Sequence, residues 1–158
     1  GKLNMEINDI LDPTGVLANL KPSSKKQLLQ DLAETGAKLS GKDAPAIFET
    51  LLEREKLGSA GVGNGVAIPH AKLPGMDQIV GVFAHLNKPV MFEAVDDQPV
   101  DIVFMLLAPE GSGADHLKAL SRIARVLRNQ NMLSSIRNSP DPDAIYSLLT
   151  NVENASAA

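Results

Sequence analysis

Residues 58–72 read Gly58-Ser-Ala-Gly-Val-Gly-Asn-Gly-Val-Ala-Ile-Pro-His70-Ala-Lys72: four glycines within eight positions, a short apolar run, then a proline that delivers one histidine. Gly61, Gly63 and Gly65 alternate with Val62 and Asn64, a pattern that permits positive φ angles and leaves amides unshielded, as an anion-binding nest requires. A neutral imidazole has a free lone pair on one ring nitrogen and a hydrogen on the other, so His70 can act as a nucleophile without a separate base. Its targets are phosphorus, a metal or a proton, and the glycine frame favours the anionic one.

Two further residues complete a candidate constellation. Arg54 follows Ile47 and Leu51 at i, i+4, i+7, which places it on the core-facing edge of a helix near its C-terminus. His116 heads the apolar line Leu120, Ile123, Leu127 in the first turn of another helix. A nucleophile, a permanent cation and a neutral donor meeting at one rim of an open sheet suit phosphoryl transfer, where positioning and electrostatic stabilisation do most of the work. Each has a plainer alternative. Arg54 can complement the helix dipole or pair with Glu53 or Glu55, and His116 can pack against Leu120. His85 alternates with Ile79, Gly81 and Phe83 on a strand and reads as structural. Lys118, Arg122 and Arg125 form a basic helix face of the kind that is more often solvated than functional.

The elements that must carry these residues follow from capping and periodicity. Ser23 or Ser24 caps a helix to about Thr35, ended by Gly36; Asp43 with Pro45 opens a second, to about Lys56. Val66 to Ile68 is a short buried strand that Pro69 terminates, so His70 is expected at a strand end. Ile79–Leu86 and Asp101–Ala108 are strands, the second buried on both faces, and Lys88–Phe92 is a short edge strand interrupted by Pro89. Asp96 to Pro99 is a turn. Helices follow from Gly113 to about Arg128 and from Ala144 to about Asn151. Helices interspersed with apolar strands define an α/β layer fold whose sheet order is beyond pattern reading.

Length and composition bound the rest. A chain of 158 residues, 44% hydrophobic, supports one domain with a substantial core. A formal charge of −4 with five aromatic residues argues against nucleic acid, and no run approaches the ~18 apolar residues of a membrane span. Without cysteine there is no disulfide or thiolate chemistry, which suits a cytoplasmic protein. The glycines match neither Gly-x-Gly-x-x-Gly, since position 66 is Val, nor the P-loop pattern, and three histidines lack zinc spacing, so no cofactor and no metal are expected. A noncatalytic binding module remains open at this point. Residues 1–4 read as a cloning remnant and 152–158 as a flexible tail.

Glu53-Arg-Glu-Lys-Leu-Gly-Ser59, Gly61-Val-Gly-Asn-Gly-Val-Ala-Ile-Pro-His70, Asp96-Asp-Gln-Pro-Val-Asp101 and Asp115-His-Leu-Lys118 together resemble the type-2 (fructose/mannitol class) enzyme IIA domains of the bacterial phosphotransferase system, closest to the nitrogen-regulatory branch. The resemblance spans about residues 10–150. It implies a single domain with a mixed sheet of about five strands flanked by helices on both sides. It implies phosphoryl acceptance on His70 Nε2, His116 as second active-site histidine and Arg54 as phosphoryl ligand, with Ser59, Gly63, Asn64 and Gly65 as further phosphate contacts. The donor would be a histidine phosphocarrier of the HPr or NPr kind, with no Mg²⁺ and no membrane insertion. Two roles stay open: a regulator whose phosphorylation state controls partner binding, with Leu73 and Met76 rimming the contact surface, or a carrier that passes the group to a IIB component of a sugar permease.

Overall fold

The computed structural model describes residues 5–139 and 141–151. The expectations for residues 1–4 and 152–158 therefore lie outside the described residues. In chain order the elements are α1 (Ile7–Ile10), β1 (Leu11–Leu20), α2 (Lys25–Ser40), α3 (Ala44–Lys56), β2 (Gly61–Gly63), β3 (Val66–Ala67), β4 (His70–Leu73), β5 (Val80–Val90), β6 (Val100–Pro109), α4 (Ala114–Arg128), α5 (Gln130–Arg137) and α6 (Pro142–Thr150). The sheet has order β1-β5-β6-β3-β2, with β4 also paired to β6. It is mixed: β1 runs parallel to β5, β5 antiparallel to β6, and β3 and β4 both parallel to β6. Among the described residues the sheet has six strands, in keeping with the mixed sheet of about five that the resemblance implied.

Strand β6 organises the molecule. Val103, Met105 and Leu107 enter one core with Leu28, Leu29 and Leu32 of α2 and Ile47 and Leu51 of α3. Ile102, Phe104 and Leu106 enter the other, with Ile123 and Leu127 of α4, Leu133 and Ile136 of α5, and Ile145 and Leu149 of α6. The side-chain period of two in a strand is what feeds both cores from one run of sequence.

Several expected boundaries move. Ser24 is the cap of α2, its hydroxyl accepting from Gln27 N at 3.1 Å, but the helix continues through Gly36 to Ser40. Gly36 is buried where a Cβ would stand 2.9 Å from Leu107 Cδ1 and from Met105 Cε, so the glycine serves close helix–sheet approach, and Gly41, at φ +75°, ends the helix. No separate edge strand forms over 88–92; β5 runs on to Val90 through an irregularity after His85. Asp43 caps α3 as expected, accepting from Ala46 N.

Strand β1 and helix α5 have no counterpart in the sequence reading. Pro13 and Gly15 mask β1 as a strand, yet it lies at the sheet edge, where a missing N–H is tolerated. Asn129 caps α5 through Met132 N only one residue beyond the end of α4.

Candidate functional site

His70 opens β4; it does not end a strand. β3 and β4 lie successively along the same edge of β6, separated by Ile68 and Pro69. At that break Ile68 N donates to Ala60 O, and Pro69, which has no N–H to offer, uses its carbonyl to accept from Leu106 N at 2.9 Å. His70 pairs with Leu106, a residue of the α4-side core, so its ring stands on the face of the sheet that α4 covers.

Arg54, in the last turn of α3, reaches this ring from the opposite layer. Its Nε–H donates to His70 Nε2 at 3.3 Å, and its Nη1 donates to Gly58 O at 3.0 Å. Neither Glu53 nor Glu55 pairs with it. His70 Nδ1 lies 3.1 Å from Ile68 O. A carbonyl only accepts, so Nδ1 carries the hydrogen and the lone pair belongs to Nε2, facing the guanidinium. From the other side His116, the third residue of α4, places its ring centroid 5.5 Å from that of His70 at an interplanar angle of 60°. His116 is 5% exposed, and burial, then the nearby His70 and Lys72, push its pKa below the ordinary histidine range. The second imidazole is therefore neutral at pH 7, and its buried Nδ1 has no hydrogen-bond partner among the described residues.

The loop that orients Arg54 is itself pinned. Glu55, its side chain only 6% exposed, accepts from Ala60 N on both carboxylate oxygens at 3.1 Å and pairs with Lys25 at 2.9 Å. Lys25 Nζ lies 4.5 Å from the Phe92 ring centroid. Ser59 Oγ donates to Phe92 O at 2.7 Å and accepts from Gly61 N. These contacts hold residues 58–61, hence the Gly58 carbonyl that fixes one end of the guanidinium. Sequence spacing had no signal for the two carbonyls, of Gly58 and Ile68, that orient Arg54 and His70.

Gly63, Asn64 and Gly65 are not brought to His70. Gly65 O accepts from Ile102 N, whereas His70 pairs with Leu106, four residues or roughly 13 Å along β6. The glycine turn does have left-handed backbone, with Asn64 at φ +58° and Gly65 at φ +78°, and it does hold an anion, but an internal one: Asn64 N donates to Asp96 Oδ2 at 3.0 Å. Arg137 closes the network, gripping Asp101 with Nε at 2.9 Å and Nη2 at 2.8 Å while donating to Asn64 O. Nor do Leu73 and Met76 rim the site; both are buried in the α2–α3 core. The exposed apolar residues on the elements that carry the site are Leu57, 85% exposed after Arg54, and Leu117, 67% exposed after His116.

A buried neutral histidine, a permanent cation and an imidazole lone pair converge from three elements. Residues 9–152 match the profile of the phosphoenolpyruvate-dependent sugar phosphotransferase system, EIIA 2, and the chain belongs to that family. It is 57% identical over 145 residues to a nitrogen regulatory protein of Bradyrhizobium diazoefficiens, covering 92% of this chain and 95% of that one. The crystal structure of nitrogen regulatory protein IIA-Ntr from Neisseria meningitidis superposes with a TM-score of 0.87 at 34% identity, over 91% of this chain and 99% of that one. A fructose-specific EIIA component of Haloferax volcanii is 30% identical over 94% of this chain and 99% of its own. Among the described residues no helix is long and apolar enough to cross a membrane.

Proposed function

We propose that this chain is a phosphoryl-carrying regulator of a nitrogen-related phosphotransferase system, acting as one cytoplasmic domain. His70 Nε2 accepts the group from a histidine phosphocarrier of the HPr or NPr kind, and the charge state of His70 controls binding to regulatory targets. The observation that carries this reading is the paired contact on one ring: Nδ1–H held by Ile68 O and Nε2 facing Arg54 Nε–H.

The step balances simply. The His70 Nε2 lone pair forms the new N–P bond as the donor's N–P bond breaks, and the donor imidazole keeps the electron pair. Positive charge grows on the His70 ring, where the Ile68 carbonyl stabilises it through Nδ1–H. Arg54 loses its acceptor as Nε2 bonds to phosphorus, and its donors turn to the phosphoryl oxygens. His116, uncharged, adds a neighbour that neither competes for the anion as a second cation nor repels the incoming one.

Incubation with a phosphorylated carrier should yield one acid-labile, base-stable adduct that maps to His70. A stable serine ester, or full labelling of His70→Ala, would overturn the assignment.

The 30% identity to a fructose-specific component supports a second reading, in which the group passes to a sugar permease IIB domain. Rapid transfer to such a domain, with captured targets binding both phosphorylation states equally, would favour it. The 57% identity to a nitrogen regulatory protein supports the first.

A further inference from the structure

Positive charge is unevenly distributed along this acidic chain. Residues 116–140 hold five of the fifteen Lys and Arg and none of the nineteen Asp and Glu. Arg137 is consumed by Asp101. The other four, Lys118, Arg122, Arg125 and Arg128, all lie on α4. At 100° per residue they fall within an arc of about 120°, which also contains Ser121, and Leu117 lies about 20° beyond its Arg128 edge. The opposite arc carries His116, Ala119, Ile123, Val126 and Leu127, which are buried.

Arg122 is half-buried and donates to Met5 O at 3.0 Å. Lys118, Arg125 and Arg128 are exposed and, among the described residues, make no ion pair or hydrogen bond. This cationic face begins at Lys118, two residues beyond His116, whose ring is 5.5 Å from that of His70, and the exposed apolar Leu117 stands between the two in sequence.

We propose that the exposed face of α4 docks an acidic surface of a partner protein, with Leu117 as its apolar anchor and Lys118, Arg125 and Arg128 as its charge-reading residues. Charge complementarity selects the occupant. Three unpaired cations and one leucine suit a compact protein patch, in which an apolar centre is ringed by charges. A nucleic acid needs a longer cationic footprint, and the net charge of −4 repels an extended polyanion. On the reading of His70 given above, phosphorylation adds about −1.5 to −2 charges at the N-terminal end of this face, so the unphosphorylated protein is the form that binds.

The test uses a short fluorescein-labelled peptide of Glu and Leu, titrated by anisotropy at low and physiological salt, with amide NMR shifts locating the contact. Shifts on residues 117–128, and affinity reduced at least about 10-fold in Lys118→Gln/Arg125→Gln/Arg128→Gln at unchanged melting temperature, are expected. Equal affinity in that variant, shifts elsewhere, or tighter binding of a DNA duplex of equal charge would overturn the docking surface. Phosphorylated protein should bind more weakly. Equal binding in both forms, alongside loss in the triple variant, would keep the surface and remove its coupling to His70, whereas failure of His70 to accept a phosphoryl group would strike the proposed function alone.

Discussion

At the scale of single residues, the histidines separate by what surrounds each ring. Burial pushes both His85 and His116 below the ordinary histidine range, so the folded protein holds them neutral while the unfolded chain titrates them near pH 6.5. Between that value and the lowered ones the unfolded chain binds more protons, so stability falls as pH falls through this window and is level above it. Asp12 and Asp96, whose hydrogen bonds lower their pKa from 3.8, contribute stability above about that value and lose it only under stronger acid. Melting temperature should therefore begin to drop below about pH 6.5, and His85→Asn/His116→Gln should flatten that part of the curve. An unchanged slope between pH 5 and 6.5 in the double variant would contradict the assignment. Arg54 is tested by shape as well as charge. Arg54→Ala should slow phosphoryl acceptance on the order of 10- to 1,000-fold, and Arg54→Lys should recover only part, because an ammonium cannot hold the Gly58 carbonyl and face Nε2 with one planar group. Stopped-flow transfer from a phosphorylated carrier measures both.

Elements hold these residues through a few junctions that combine backbone geometry with ion pairs. The turn between β2 and β3 is one: a Cβ at Gly65 would lie 2.5 Å from Arg137 Nη2 and 2.8 Å from Asp101 Oδ1, on a backbone at φ +78°. Gly65→Ala should therefore cost about 1–3 kcal/mol from backbone strain alone, with displacement of the Arg137–Asp101 pair added. Urea denaturation reads the loss, and a variant as stable as the parent would mean the turn relaxes freely. The loop after α3 is the other junction. Lys25→Met leaves the nearly buried Glu55 carboxylate without its cation, and the expected result is slower phosphoryl transfer together with lower stability, since Arg54 leaves the helix one residue earlier. Glu55→Gln in the same background should restore part of the stability by removing the unpaired charge.

For the whole molecule, two cores share one sheet, and β6 contributes alternate residues to each. Neither core can open without exposing the other's strand faces, so unfolding should be a single cooperative transition. Leu32→Ala in the α2 core and Ile136→Ala in the α5 core should each cost about 2–5 kcal/mol, add when combined, and leave the denaturant slope unchanged. Two resolved transitions by fluorescence and circular dichroism would show the layers to be independent. What the sequence by itself determined was local. Asp43 before Ala-Pro45, Ser24 before Lys25 and the apolar line behind His116 declare helices because capping and 3.6-residue periodicity act over a few residues. The apolar run 101–108 likewise announces a strand covered on both faces. Three residues of the site were legible for the same reason: Arg54, His70 and His116 each stand at a recognisable element end. Tertiary structure decided what depends on distant partners. Gly36 reads as a helix stop, but Leu107 and Met105 make it an interior contact, and β1, with Pro13 inside it, is a strand only because it lies at the sheet edge. Asn64 and Gly65 read as a phosphate cradle because positive φ is a local property. What fills the cradle is not local, and Asp96 and Arg137, 32 and 73 residues away from Asn64, reached it first.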